Sequence, residues 1–506
     1  MTLLTIILTG VLYAAPQQDP AAFDARLGGL RGQWLGPVTA EYPRNGEGST
    51  IRLKDGRLLH AFSRHGQSPD GNPDLWPGVI VFLYSSDNAK TWTQPEVVFR
   101  NSGGLTAMQP SFVRLPNGRL GVTYSLIDSF TSARKVFRSS GDEGKTWSEE
   151  KIISPPGGYW TGAHDRLLAI TGGRILAQLH TKLTTKPERL ATRIAYSDDS
   201  GDTWKLSPQT LTVSQVIPGS TAEKVGRSGL HEASIAERAD GSLLLLGRTM
   251  AGRIYRSISA DRGVTWSTPE PTELPSGAAP ARVERIPGSG DLLVVWNSCC
   301  VDKENAQVGE RLTLTSAISS DGGLRWKWRR TVADIIPGPS PVRHWVDYPA
   351  ITIDGGMVYL SYRAVVLEGQ STLMQNYMAP LPLSWFYAAR DRNPGAAMEK
   401  ARLLGAAEIK AAFAGLPQKP PTNRELHTVE HAGFKVARVE NRNGPREVQP
   451  EEDRIFYITA GSARLHVEDA RDLAMEPGAA IIVPRGVPYQ ILATGTKVEF
   501  LVVRVK

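Results

Sequence analysis

Along most of the chain, apolar residues come in short runs that break at a glycine-containing polar turn, and the same arrangement recurs six times. The turn glycines are Gly56, Gly118, Gly173, Gly241, Gly290 and Gly356; the first turn, Leu53-Lys54-Asp55-Gly56-Arg57-Leu58, is typical. Short apolar runs on either side of an Asp, Asn or Gly turn predict β-hairpins, because these residues accept the turn backbone and the runs fit a pleated sheet. A polar octapeptide, Ser-x-Asp-x-Gly-x-x-Trp, is interleaved with the hairpins. It spans Ser140 to Trp147, Ser197 to Trp204, Ser259 to Trp266 and Ser319 to Trp326, with a fifth copy from Ser85 to Trp92 in which Ala89 replaces the glycine. Its aspartates, Asp87, Asp142, Asp199, Asp261 and Asp321, stand 55, 57, 62 and 60 residues apart. That period is long enough for a four-stranded sheet and too short for a domain. Each repeat therefore predicts one blade, and six hairpins with five boxes predict an all-β, six-bladed β-propeller over residues 30–390. The octapeptide is a structural device: its Asp and Ser bond turn amides, its Gly takes a backbone conformation other residues avoid, and its Trp anchors the turn to its sheet.

The period stops near Trp385. Residues 396–416, rich in Ala, Glu, Lys and Leu, have the spacing of one amphipathic helix, and the prolines from Pro417 to Pro421 end it. Residues 391–424 thus predict a helical linker. From 425 to 506 short strand-like runs return, at Ile455–Ile458, Ala463–Val467, Ala480–Val483 and Val498–Val503, and predict a second, smaller β domain. A length of 506 residues suits this division.

Composition narrows the classes. The 49 Gly and 35 Pro suit a turn-rich β protein, and the excess of 58 Lys+Arg over 51 Asp+Glu is spread without a basic run. A spread excess gives no reason to expect nucleic acid and leaves room for an anionic small molecule. Beyond the first 15 residues no apolar stretch approaches the roughly 18 residues of a membrane span. Leu3 to Ala15 is apolar, ends in small residues and is followed by polar Gln17, Gln18 and Asp19, the pattern of a secretory signal in residues 1–15 and hence of a secreted or periplasmic protein. A buried N-terminal strand is the rival reading, because no basic residue precedes the stretch and Leu12 and Tyr13 crowd the cleavage site. The two cysteines, Cys299 and Cys300, are adjacent and imply neither a disulfide framework nor a metal site.

In a propeller the innermost strands and their hairpin partners open at one rim of the central channel, so polar side chains there converge on a pocket. Counting nine residues back from the hairpin glycine reaches Glu47, Gln109, His164 and Glu232; counting eight back in the last repeat reaches Tyr348. The returning strands end in Arg64, Arg248 and Arg363. Any one of these charges taken alone reads as a solvated loop residue or a surface ion pair. Their convergence from different repeats is what points to a site of carboxylates, a phenol and several guanidiniums.

At these residues the chain resembles the sialidase superfamily, with its Asp-box repeats and six-bladed propeller, and within it the bacterial branch carrying Glu-Gly-Ser in the first blade, here Glu47-Gly48-Ser49. The resemblance covers roughly Trp34 to Trp385. The segment from His231 through Glu232, with Arg248 sixteen residues after Glu232, is similar to the family's catalytic Glu and one arginine of its triad. Tyr348 lies in a segment similar to that of the nucleophilic Tyr, and Arg311 in one similar to that of another triad Arg. The family's first-blade Arg-Ile-Pro is replaced by Arg44-Asn45-Gly46, which leaves Arg44 and Arg64 as first-blade candidates. The resemblance also implies a general acid in the loop before the first box, either Asp74 or Asp70. Arg363 stands where the family often has a Glu.

The implied chemistry accounts for these residue types. A sialic acid carries its carboxylate on the anomeric carbon, which repels an anionic nucleophile and favours a neutral Tyr deprotonated by Glu. Three guanidiniums match a carboxylate in a way that Lys cannot copy, and a protonated Asp can donate to the leaving oxygen and then activate water. The resemblance therefore implies an exo-sialidase-like, retaining glycoside hydrolase acting on a terminal anionic sugar of a glycan, with Glu47, Gln109 and His164 as further substrate contacts and no metal or organic cofactor. A glycosidase or lyase for another acidic sugar, with His164 as base, and a propeller that only binds glycans are the alternatives. The C-terminal segment resembles a cupin barrel, most clearly from Gly478 through Pro484 and Gly486 to Tyr489, where Tyr489 takes the place of a metal-binding His. With no His in Val448–Arg454 either, the resemblance implies a metal-free barrel with a structural, sugar-binding or dimer-forming role.

Overall fold

Strands Arg44–Arg52 and Leu58–His65 pair antiparallel across the Gly56 turn, and Gly78–Ser85 and Glu96–Arg100 continue the meander outward. The same succession repeats along the chain. Thr106–Arg114, Leu120–Ile127, Ala133–Ser140 and Lys151–Ile152 form the next meander. Leu167–Ala169, Ile175–Thr185, Glu188–Ser197 and Lys205–Leu206 follow, then Ser228–Glu237, Leu243–Thr249, Arg253–Ser259 and Glu270–Pro275. After Arg282–Arg285, Leu292–Asn297, Thr313–Ser319 and Lys327–Asp334 come Arg343–Asp354, Met357–Glu368 and Ser371–Pro382, the last of which pairs with the early strand Gln33–Trp34. Short parallel pairings join some neighbours: Gly78 with Thr106, Leu190 with Gly229, and Arg44 with Met374, which links the first meander to the last.

This computed structural model describes residues 30, 32–66, 76–298, 311–334, 343–368, 371–387, 425–429, 432–440, 446–447, 453–467, 472–484 and 487–505. The chain divides into two units, Met1–Tyr387 and Ala388–Lys506. Both are β structures; the helices among the described residues are the single turns Thr221–Lys224 and Leu383–Tyr387. No described helix is long and apolar enough to cross a membrane. The N-terminal apolar stretch, the two cysteines and the helix expected over 396–416 lie outside the described residues.

The core of the first unit sits between meanders, where alternate residues of neighbouring sheets interdigitate. One such layer packs Leu59, Phe82 and Phe99 against Phe112 and Tyr124, with the box tryptophan Trp147 edge-on to Phe82 and Phe99. The boxes behave as their sequence requires. In the second, the Asp142 carboxylate accepts from Ser140 Oγ at 2.7 Å, Thr146 N at 2.9 Å and Thr146 Oγ1 at 2.6 Å, while Ser140 Oγ accepts from Gly144 N at 2.8 Å. The glycine position is left-handed in all five, with Ala89 at φ 68°. An L-residue is disfavoured there; Ala89 places its methyl in an apolar cluster with Leu35, Leu58 and Leu83, and that burial offsets the cost.

Hydrogen bonds hold the box aspartates below their ordinary pKa of 3.8, at about 2 for Asp87 and Asp142 and, against opposing burial, for Asp199. A carboxylate depressed in the folded state contributes stability above its unfolded pKa and loses it as pH falls toward its folded value. The melting temperature is thus expected to fall between pH 4 and 2. An Asp142→Asn, Asp199→Asn variant should fall less steeply across that window in a thermal melt series, from a lower starting point at pH 7.

The inner strands carry a repeated irregularity that builds the site. Glu47, Gln109, Glu232 and Tyr348 all have left-handed φ, between 48° and 64°, and each sits in a bulge where the register with the next strand slips. A bulge re-aims a side chain. In the third meander the left-handed residue is Asp165, eight residues before Gly173, and His164 immediately precedes it. Serine hydroxyls lock the inner strands together: Ser49 Oγ accepts from Phe112 N at 3.1 Å, Ser111 Oγ from Arg166 N at 2.9 Å and Ser234 Oγ from Val283 N at 3.0 Å. Asp165 completes the tie by accepting from Ser49 Oγ, Arg282 Nε and Ile351 N at 2.9, 2.6 and 3.0 Å.

In the second unit the long strands Asp453–Val467 and Tyr489–Val505 pair with each other, and the first also with Leu473–Met475 and Ala480–Val483. Phe456, Ile458, Leu465, Met475, Ile491 and Phe500 fill the interior. Tyr489 lies among them, edge-on to Phe456, and its hydroxyl accepts from Arg454 Nη1 at 2.6 Å.

Candidate active site

Tyr348 is the centre of the site. Its hydroxyl donates to Glu232 Oε1 at 2.7 Å and accepts from Arg248 Nη1 at 3.4 Å, and the same Arg248 nitrogen donates to Glu232 Oε2 at 2.5 Å. Two more guanidiniums flank the phenol ring: Arg363 lies 4.3 Å and Arg311 5.8 Å from its centroid. Asp347, fully buried, holds both. Arg311 Nη1 reaches its Oδ2 at 2.5 Å, and Arg363 grips it with Nε at 2.7 Å and Nη2 at 2.9 Å. Glu47 Oε1 lies 3.5 Å from Arg363 Nη1 and 3.8 Å from Arg44 Nη2. Tyr348, three carboxylates (Glu232, Asp347 and Glu47) and four guanidiniums (Arg44, Arg248, Arg311 and Arg363) are thus joined through direct contacts, drawn from the first, fourth and last meanders and the Arg311 segment.

The charges shape one another. Burial alone would raise the Glu232 carboxyl, but Arg248, through its charge and its hydrogen bond, holds it well below the usual carboxylate range. Asp347 is likewise depressed, with Arg363 and Arg311 overriding its burial. Burial and the adjacent Glu232 carboxylate push the Tyr348 phenol above its ordinary value. At rest the proton therefore belongs to Tyr348 and the charge to Glu232. Transfer between them is uphill until a new bond at the phenol oxygen draws the proton across, which suits a nucleophile activated only as it attacks.

Three histidines stand around this group and burial keeps them neutral, His164 at about 3, His180 at about 4 and His231 well below 6.5. His164 Nε2 bonds the Tyr348 carbonyl at 3.0 Å, and its Nδ1 is buried without a partner. An imidazole that donates from Nε2 keeps its lone pair on Nδ1. Gln109 is fixed at both ends: its side-chain oxygen accepts from Ser125 Oγ at 2.9 Å and its carbonyl from Lys135 Nζ at 3.3 Å. Burial lowers that lysine to about 7.

Arg64 is held elsewhere. It faces Asn45 across the ladder, donates to Asn45 Oδ1 at 3.2 Å and to the Pro37 carbonyl at 2.9 Å, and lies over Tyr42. Strand alternation puts Asn45 on the face opposite Arg44 and Gly46. Asp70 and Asp74 lie outside the described residues. Asp347 and Lys135 were not singled out from sequence. Asp347 had a signal, an acidic residue next to Tyr348 in a strand bounded by apolar runs; Lys135, in the third strand of its meander, had none. Among the described residues no group of three or more His, Cys, Asp and Glu is arranged to hold a metal.

The model of the BNR repeat-like domain matches residues 47–360, and that of the cupin domain matches residues 439–504. Among characterised proteins, the chain is 29% identical over 161 residues to an anhydrosialidase of Macrobdella decora and 26% identical over 213 residues to a sialidase of Bacteroides fragilis. These matches take in 29% and 40% of this chain but only 18% and 35% of those proteins. Among solved structures, a point mutant of the NanB sialidase of Streptococcus pneumoniae superposes with a TM-score of 0.51 at 14% identity, covering 70% of this chain and 71% of that one. At that identity the likeness speaks for the fold.

Proposed function

The chain belongs to the BNR repeat-like family of the sialidase superfamily and carries a cupin domain toward its C-terminus, and from that premise we propose that it is an exo-sialidase-like glycoside hydrolase that releases a terminal sialic acid with retention of configuration. The observation that carries this reading is the Tyr348–Glu232 hydrogen bond of 2.7 Å set among Arg248, Arg311 and Arg363. Such a group holds an anionic sugar and presents it with a neutral nucleophile.

In this mechanism the guanidiniums hold the substrate carboxylate and set the anomeric carbon over the Tyr348 oxygen. The oxygen attacks as its proton passes to Glu232, and the glycosidic bond breaks as Asp74 or Asp70 protonates the leaving oxygen. Water, deprotonated by that same Asp, then displaces Tyr348, which recovers its proton from Glu232. Guanidiniums supply the positive charge throughout. We read the successive meanders as six blades around the site, Arg44 as the first-blade arginine, residues 1–15 as an export signal, and the cupin domain as a sugar-binding or dimer-forming module.

The test is incubation with α-linked sialosides and measurement of released sugar. Steady release supports the reading, and binding without release leaves a glycan-binding propeller. His164 favours one other reading, a lyase for an acidic sugar, because a neutral imidazole stands next to the phenol, the two ring centroids 5.6 Å apart. An unsaturated product absorbing in the ultraviolet, from a uronate substrate, would select it.

A further inference from the structure

Two of the left-handed bulge residues, Gln109 and Tyr348, stand immediately before prolines, Pro110 and Pro349. A residue before proline is driven toward extended backbone, so a φ of 64° at Gln109 and of 55° at Tyr348 is strained and lasts only where the surroundings impose it. The ladder does not impose it. Register with the next strand slips between Met108 and Ser111 and between Asp347 and Ala350, which leaves both residues outside the pairing. A buried basic side chain takes the carbonyl in each case: His164 Nε2 donates to that of Tyr348 at 3.0 Å, and Lys135 Nζ to that of Gln109 at 3.3 Å. The third bulge repeats the arrangement, with Arg166 Nη1 donating to the His164 and Asp165 carbonyls at 3.1 and 3.2 Å. His164, Lys135 and Arg166 are all buried. Buried cations ordinarily face carboxylates; Lys135 and Arg166 direct their N–H groups at carbonyls and, for Lys135, at a hydroxyl.

Lys135 also fixes the side chain of Gln109. Its Nζ lies 3.3 Å from Ser125 Oγ, and an ammonium can only donate, so the serine turns its own proton to Gln109 Oε1 at 2.9 Å. The amide therefore keeps one face, with its two N–H groups away from the serine.

We propose that His164 and Lys135 are positioning residues that cap the bulges of the site, His164 holding Tyr348 with its hydroxyl on Glu232 and Lys135 holding Gln109 with its amide N–H groups toward the sugar. The proposal rests on the reading of Tyr348 as nucleophile and Gln109 as substrate contact, and neither base exchanges a proton in it. The phenol oxygen lies at the far end of its side chain, so relaxation of φ toward extended backbone swings it away from Glu232 Oε1. A misplacement of about 1 Å can cost about 10²-fold in rate.

The test replaces each base by a side chain of similar bulk without a donor, in His164→Leu and Lys135→Met. His164→Gln restores the donor: its amide nitrogen is as many bonds from the backbone as Nε2 and is not a base. Kinetics on an α-linked sialoside, calorimetry with free N-acetylneuraminic acid and thermal melts are compared with the wild type. His164→Leu should lower kcat by about 10²-fold with binding of the free sugar nearly unchanged, and His164→Gln should recover most of the loss. Lys135→Met should weaken binding by about 3- to 10-fold, as for one hydrogen bond, and lower kcat much less. Added to Gln109→Ala, it should weaken binding no further, because the two changes remove the same contact.

If His164→Gln is as inactive as His164→Leu while both melt like the wild type, the imidazole acts as a base, as the lyase reading requires, and the proposal falls. Equal losses of kcat and binding in every variant, with lowered melting temperatures, mean that these residues only hold the fold, and overturn it too. A wild type that cleaves no sialoside sinks the nucleophile reading alone. Crystal structures then decide the proposal: Tyr348 should leave the left-handed region in His164→Leu and keep it in His164→Gln, and an unmoved Tyr348 in His164→Leu overturns it.

Discussion

Tyr348→Phe should leave a protein that binds sialosides and does not turn them over. The substitution removes one oxygen and with it the bonds to Glu232 and Arg248. The ring that packs under Arg363 and beside Arg311 stays, as does the Asp347 clamp, so these guanidiniums keep their places. Loss of a single general acid or base costs about 10²- to 10⁴-fold. Loss of the nucleophile should cost at least as much, and kcat is expected to fall by about 10³-fold or more while the dissociation constant for the free sugar barely moves. Single-turnover kinetics together with calorimetry separate the two effects. Near-normal cleavage by the Phe variant would remove Tyr348 from the mechanism.

Arg248→Lys should damage both binding and the pH profile. Arg248 spans Glu232 and Tyr348 with a single nitrogen, and a lysine offers a point charge in place of a fork. Loss of the charge-assisted bonds predicts kcat/KM lower by about 10- to 100-fold for a carboxylate sugar. The effect on pH has a definite sign. Burial pushes the Glu232 carboxyl up and Arg248 is the main influence that pulls it down. With that influence weakened, its pKa rises, and the carboxylate needed as base persists only at higher pH. The acidic limb of kcat/KM should move upward in Arg248→Lys. An unmoved limb with intact binding would mean that Arg248 does not govern Glu232.

Much of this site was legible in the sequence, because much of it is local. The boxes close within eight residues, and each Asp finds its partners in its own turn, so the spacing reported the structure directly. Counting from hairpin glycines reaches Glu47, Gln109, Glu232 and Tyr348, because the interval from bulge to glycine is nine residues in the first three and eight at Tyr348. It reaches His164 rather than Asp165 in the third repeat, where the left-handed position lies eight rather than nine residues before the hairpin glycine. What the sequence did not disclose is long-range. Asp347 binds a guanidinium sixteen residues away and another thirty-six residues away. Strand alternation set against ladder register separates Arg44 from Arg64, and register is fixed by pairing, which a count along one strand does not give.

The central claim is that Tyr348 forms a bond to the anomeric carbon. It is tested most directly by trapping the protein with a 2,3-difluorinated sialic acid, which forms the covalent species quickly and releases it slowly, and mapping the modified peptide by mass spectrometry. The account predicts one sugar per chain, carried by Tyr348, absent from Tyr348→Phe and lost on standing as activity returns. A wild type that hydrolyses sialosides yet carries no such adduct, or carries it on another residue, would contradict it.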